Sequence, residues 1–142
     1  MARPDPALLD SARYPFANTV TTRFADLDPN GHINNVAMAA VFEDARLRFI
    51  TAVGFPPNTA SARFMVANVT IDYLAQAYYP DSLVCHVGAL PGGRTSWSLH
   101  QLLLQRGKPV AAARVAIVCT DGERPREMGP ELRERLVQWQ VR

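Results

Sequence analysis

The hydrophobic positions of this chain change period along its length, and each change marks an element. From Asn18 to Phe24 valine and threonine alternate with polar residues as in a strand, until Asp26-Leu27-Asp28-Pro29-Asn30-Gly31 supplies a run of turn formers. Beyond the turn the period becomes helical. Met38, Phe42, Ala45, Phe49, Ala52 and Val53 fall on one face, with Glu43, Asp44, Arg48 and Thr51 on another. Asn34 or Asn35 can cap the start, Gly54 follows the last periodic position, and Pro56 and Pro57 prevent continuation. A helix between these signals is roughly 27 Å long.

After Pro57 the alternation returns. Phe64–Tyr73 predicts a long strand with one more polar face, and Leu83–Leu90, Thr95–Gln105 and Val110–Thr120 predict three others. Tyr79-Pro80-Asp81, Pro91-Gly92-Gly93 and Arg106-Gly107-Lys108-Pro109 separate them as turns. A short helix with proline in its first turn is predicted over Pro130–Trp139. Residues 1–15, with three prolines among mixed polar residues, read as a flexible N-terminal leader, and 16–142 as a single domain. The order of strand, long helix and four strands joined by short turns predicts an α+β fold, an antiparallel sheet of about five strands with the helix on one face. The helix is apolar over more than half its circumference, so the sheet has to curve around it.

Composition narrows the function. With 142 residues, 48% hydrophobic and 20% charged, the chain has the make-up of an ordinary soluble domain able to bury a core. A formal net charge of +2, spread along the chain, gives no strong attraction for nucleic acid or a membrane surface. Cys85 and Cys119 sit in separate apolar runs without Cys-x-x-Cys or His-rich spacing, so they read as buried free thiols, and no metal site is expected. The N-terminal Met-Ala-Arg-Pro-Asp-Pro lacks an apolar signal core, and no stretch approaches a membrane span, so a cytoplasmic location is expected.

The chemistry concentrates in the turn before the long helix. Asp28, Asn30 and His32 meet the positive end of the helix there, which combines a base or nucleophile, orienting groups and backbone amides able to stabilise an anion. That inventory suits attack on a carbonyl. Gly31 permits a positive φ and close backbone approach, the amides near Ile33 to Val36 are the expected oxyanion donors, and Asn34 and Asn35 are caps that also contact substrate. An Asp-Pro-Asn-Gly turn is also a common surface motif needing no function, and His32 can equally serve as a structural hydrogen-bonding residue. His86 and His100 read as satisfied strand histidines, Asp26 as a structural turn residue, and Glu43 as the partner of Arg46 three positions on.

The turn Asp26-Leu27-Asp28-Pro29-Asn30-Gly31-His32-Ile33-Asn34-Asn35, followed by Phe42-Glu43-Asp44-Ala45-Arg46 and then Val69-Thr70-Ile71-Asp72-Tyr73-Leu74, resembles the hotdog-fold acyl thioesterases. Within them it is similar to the 4-hydroxybenzoyl-CoA thioesterase family, whose catalytic carboxylate falls on Asp28, and to the plant acyl-ACP thioesterases, whose Asp-x-Asn-x-His pattern falls on Asp28, Asn30 and His32. Met38 departs from the pattern, since many relatives carry tyrosine there. The resemblance implies a sheet wrapped around one long helix and hydrolysis of an acyl-CoA, or an acyl-ACP, to a free acid and a thiol. It implies no cofactor, and a homodimer or dimer of dimers with sites between subunits. Coenzyme A phosphates need a cation, for which Arg94 is the expected residue and Arg63, Arg106 and Lys108 are alternatives. A non-catalytic acyl-CoA-binding module and an enoyl-thioester hydratase or dehydratase are the competing readings.

Overall fold

The structure, a computed structural model, describes residues 4–59 and 62–142. Its elements are β1 (Phe16–Val20), α1 (Asn35–Val53), β2 (Arg63–Tyr73), β3 (Leu83–Leu90), β4 (Ser96–Gln105), β5 (Lys108–Thr120) and α2 (Pro130–Gln138). The strands form one antiparallel sheet in the order β1-β3-β4-β5-β2, and α1 lies on one of its faces. The sheet is the α+β plan expected from the sequence.

Helix α1 begins and ends where its caps require. Asn34 is the N-cap, its side-chain oxygen accepting the Ala37 N–H at 2.6 Å. At the other end Gly54 takes φ 89°, and the N–H groups of Gly54 and Phe55 return to the carbonyls of Thr51 and Ile50. Met38, Phe42, Ala45, Phe49 and Val53 are buried against the sheet as expected, while Ala52 is exposed. Leu83, Cys85 and Val87 of β3, Leu99 and Leu103 of β4, and Ala111, Ala113 and Val115 of β5 line the facing side. Both cysteines are buried and free.

Three sequence expectations are corrected by packing. β1 starts earlier and stops at Val20, because its partner β3 ends opposite at Leu83 and the chain then turns through a 3-10 segment held by the Arg23–Asp26 ion pair. The Glu43–Arg46 pair does not form. Arg46 turns inward and donates to Gln101 Oε1 at 3.3 Å, Gln101 donates to the Phe42 carbonyl at 2.9 Å, and the helix-surface pair is instead Asp44–Arg48. A guanidinium on the edge of the buried face finds an uncharged acceptor in the core, and burial lowers its pKa.

The supposed leader is part of the fold from residue 4 onward; residues 1–3 lie outside the described residues. Pro6–Leu9 and Ser11–Arg13 form 3-10 turns, and Tyr14 is buried with Leu102, Leu104 and Ala112 on the sheet face opposite α1, where Leu9 and Val141 pack against it. The Tyr14 hydroxyl lies 2.6 Å from both the Leu8 carbonyl and His100 Nδ1. A carbonyl only accepts, so the hydroxyl donates to Leu8 and receives the proton of His100 Nδ1. This fixes the neutral tautomer. Burial, then the nearby Arg114, lower the His100 pKa below its ordinary 6.5, while Asp72 opposes them. The unfolded chain therefore takes up this proton first, so the contribution is full above about pH 6.5 and is lost as pH falls toward the folded value. Thermal unfolding across that range should show a midpoint that drops with acid, and a His100→Gln variant should show a shallower drop.

The C-terminal residues close the far part of the β3 edge, where β1 does not reach. Ala89 receives a bond from Val141 N–H at 3.0 Å and donates to the Trp139 carbonyl at 2.8 Å. Gly88 makes this passage possible, since a Cβ there would stand 2.7 Å from Val141 Cγ2 and 3.0 Å from Pro15 Cδ. Gly88→Ala should destabilise the fold by about 1–3 kcal/mol through overpacking, read as a lower denaturation midpoint.

Candidate active site

The turn between β1 and α1 is organised around Asp28. Its Oδ1 accepts the N–H groups of Asn30 at 2.9 Å and His32 at 3.0 Å, while its own N–H donates to the His32 carbonyl at 2.8 Å. One carboxylate oxygen is thus held by two amides and the other is left to point elsewhere. Gly31 takes φ 78°, the left-handed conformation that closes the turn, and a Cβ there would meet nothing within 4 Å. Its conformation, rather than close approach of a neighbour, is the reason for glycine.

The expected set of oxyanion donors narrows. Ile33 N–H is taken by the Ala77 carbonyl and Asn34 N–H by the Asp26 carbonyl, both at 2.8 Å. Ala37 N–H is taken by the Asn34 side chain, and Met38 N–H by the Asn34 carbonyl. The geometry of a helix start leaves the N–H groups of Asn35 and Val36 without intrahelical acceptors. Asn35 and Val36 line an open cleft with Asp28, Asn34, Ala37 and Arg23. Asp28 is half-buried at its edge, and Val36 is 80% exposed.

The other expected residues are placed less directly. Asn30 is exposed on the turn, and His32 is half-buried with its ring edge-on to Tyr78, centroids 5.4 Å apart. Neither side chain lines the cleft. Arg94 lies at the opposite end of the sheet, preceding β4, while the turn sits by Gln105 at the end of that strand; about 30 Å of strand separates them within one chain. Its carbonyl anchors Met128 N–H and the Arg133 guanidinium.

Several neighbours were not legible as site residues. Tyr73 donates to the Asn35 carbonyl at 3.0 Å, fixing the helix start to the end of β2. Arg23 borders the cleft and its ion pair holds the Asp26 pKa low. Tyr78 flanks His32 from a segment that reads only as a turn. The polar positions of the turn signalled chemistry, but nothing in the spacing could bring the 73–81 region against it.

A carboxylate with one unbonded oxygen, in a residue that lines the same cleft as the start of a helix, has groups suited to acyl transfer, and names among the chain's relatives carry that theme. The chain belongs to the thioesterase-like superfamily, whose family model matches residues 22–136. It is 30% identical over 89 residues to the uncharacterised protein YsmA of Bacillus subtilis, a match that covers 63% of this chain and 60% of that protein. Among solved structures it is similar to a thioesterase complexed with coenzyme A and Zn from Thermus thermophilus, with 30% identity, TM-score 0.80, and 91% of this chain and 96% of that one covered. A predicted thioesterase from Bacillus stearothermophilus is 25% identical with TM-score 0.79, covering 88% and 96% of the two chains. The five-stranded antiparallel sheet around one long helix is the hotdog fold. No helix among the described residues is long and apolar enough to cross a membrane.

Proposed function

We propose that the chain is an acyl-CoA thioesterase whose reacting group is the Asp28 carboxylate. The observation that carries this reading is the asymmetry of that carboxylate: Oδ1 is held by two turn amides, Oδ2 is bonded by neither, and Asp28 lines one cleft with the start of α1. A thioester carbonyl placed in the cleft receives its oxyanion at the N–H groups of Asn35 and Val36, with the helix dipole adding positive potential. One such donor contributes about 3 kcal/mol to the transition state.

Two routes use the same atoms. In the first, Oδ2 takes a proton from water while the water oxygen attacks the carbonyl carbon; the tetrahedral intermediate collapses, the C–S bond breaks and the thiolate leaves. In the second, Oδ2 attacks directly, thiolate departs, and water hydrolyses the mixed anhydride. Asn30 and His32 act through their backbone N–H groups, which hold Oδ1 in place, since neither side chain lines the cleft. The test is product analysis by mass spectrometry after incubation with saturated and enoyl acyl-CoAs. Free acid and coenzyme A support hydrolysis, a hydrated thioester would move the protein to the hydratase class, and intact thioester would leave the acyl-ACP or binding roles.

The chain acts as a homodimer joined along β2. That strand is an 11-residue sheet edge with Met65, Val66, Val69 and Tyr73 exposed, and its sequence contains no proline or lysine to blunt it. Its register with β5 puts Arg63, Met65, Asn68, Thr70 and Asp72 on the face away from α1, and a bulge at Ala67 shifts the alternation. A two-fold axis at that bulge is the antiparallel register that keeps like faces opposite. It sets Val66 against Val69 of the partner subunit and Arg63 against Asp72 of the partner subunit, each pair occurring twice. The charges at the two ends of the strand are therefore complementary.

A further inference from the structure

Three aromatic rings stand out from the protein beside the Asp28 turn. Phe24 is 74% exposed, Tyr78 50% and Tyr79 43%. Phe24 and Tyr79 meet edge to face with centroids 6.0 Å apart, and Tyr78 meets His32. The backbone beneath them is fixed from inside. The buried Gln105 side chain accepts the Tyr78 N–H at 2.8 Å and donates to the carbonyls of Tyr78 at 2.8 Å and Asp81 at 3.0 Å. Thr22 also donates to the Asp81 carbonyl at 3.1 Å, tying the segment that carries Phe24 to the segment that carries Tyr79. A surface of exposed rings on backbone held this firmly is prearranged for a flat ligand.

Two basic residues at the β4–β5 turn lie on the same end of the sheet. Arg106, at φ 52° in the β4–β5 turn, reaches Asp81 next to the rings, and Lys108 is exposed with no ion-pair partner among the described residues. The Arg106–Asp81 pair is itself a surface contact that rearranges at little cost. Phe24 lies four positions before Asp28, so the two Cα atoms are at most about 14 Å apart. In the strand order the β2 edge lies farthest from β1 and β3, next to which Phe24 and Tyr79 stand.

We propose that the shelf binds the nucleotide end of the coenzyme A thioester, a reading that rests on the proposed thioesterase activity. The adenine stacks on the Phe24 ring and meets Tyr79 edge-on, the phosphates meet Arg106 and Lys108, and the pantetheine arm passes Tyr78 and His32 to bring the thioester to Asp28. The flanking cations favour an anionic aromatic ligand over an uncharged acyl group. This places carrier recognition at the end of the sheet nearest the turn.

The test compares Phe24→Ala and Arg106→Ala with the wild type on two thioesters of one acyl group, the coenzyme A ester and the N-acetylcysteamine ester, which lacks the nucleotide. Each variant should lower the ratio of kcat/KM for the coenzyme A ester to that for the short ester roughly tenfold, the loss expected for one stacked base or phosphate contact. Calorimetry with adenosine 3′,5′-bisphosphate should show binding to wild type that weakens about as much in Phe24→Ala. An unchanged ratio, or equal losses on both esters, would overturn the proposal and leave Phe24 acting on the acyl group or the fold. If wild type releases no thiol from either ester, the thioesterase reading fails, and bisphosphate binding alone then decides whether the shelf takes a nucleotide.

Discussion

Asp28→Asn should lower turnover of the best acyl-CoA roughly 10²–10⁴-fold while the protein remains folded. Under the proposed mechanism this side chain has two roles, one for each carboxylate oxygen. The turn needs Oδ1 as an acceptor for the amides of Asn30 and His32, and an asparagine in the same rotamer keeps that oxygen. The chemistry needs Oδ2, which the substitution replaces with an uncharged amide unable to take a proton or attack a carbonyl. Stability should change by about 1 kcal/mol or less, the difference between charged and neutral acceptors at an exposed turn. Asp28→Ala removes both functions and should lose stability as well. A steady-state assay beside a thermal denaturation curve distinguishes these outcomes.

The second large effect is expected at the β2 edge. Arg63→Asp sets a carboxylate opposite Asp72 of the partner subunit at both ends of the proposed joint, turning two attractions into two repulsions. Cross-strand charge pairs contribute up to about 1 kcal/mol each, so the dissociation constant should rise roughly 10²-fold. Asp72→Arg alone should do the same, and the double variant Arg63→Asp/Asp72→Arg should recover most of the loss. Sedimentation velocity over a dilution series reads all three. Equal dissociation in the double variant would show that these two residues do not face each other, and would displace the register centred on the bulge.

How far the sequence revealed this molecule depended on whether information was local. Helix α1 was readable at both ends because Asn34 and Gly54 satisfy backbone groups within a few residues of themselves. The strand order was not readable, but the alternation of β2 to β5 gave their extents to within a residue or two. Arg46 escaped prediction because its acceptor, Gln101, lies 55 residues away on another strand. The N-terminal segment looked like a leader because its prolines suppress regular structure, yet proline at the first turn of a 3-10 segment and one buried tyrosine suffice to dock it. At the turn, the closeness of Asp28 to the helix start was legible, since both lie within a few residues. The occupied amides of Ile33 and Asn34, and the distance of Arg94, depend on contacts made across the sheet.

Thiol release by the wild-type protein from aromatic and short-, medium- and long-chain acyl-CoAs, with Asp28→Asn run in parallel, tests the central claim most directly. Release from at least one member of the panel, lost in the folded variant, is the expected result. Equal release by wild type and a folded Asp28→Asn protein would contradict it, placing the reacting group elsewhere than in the turn before α1.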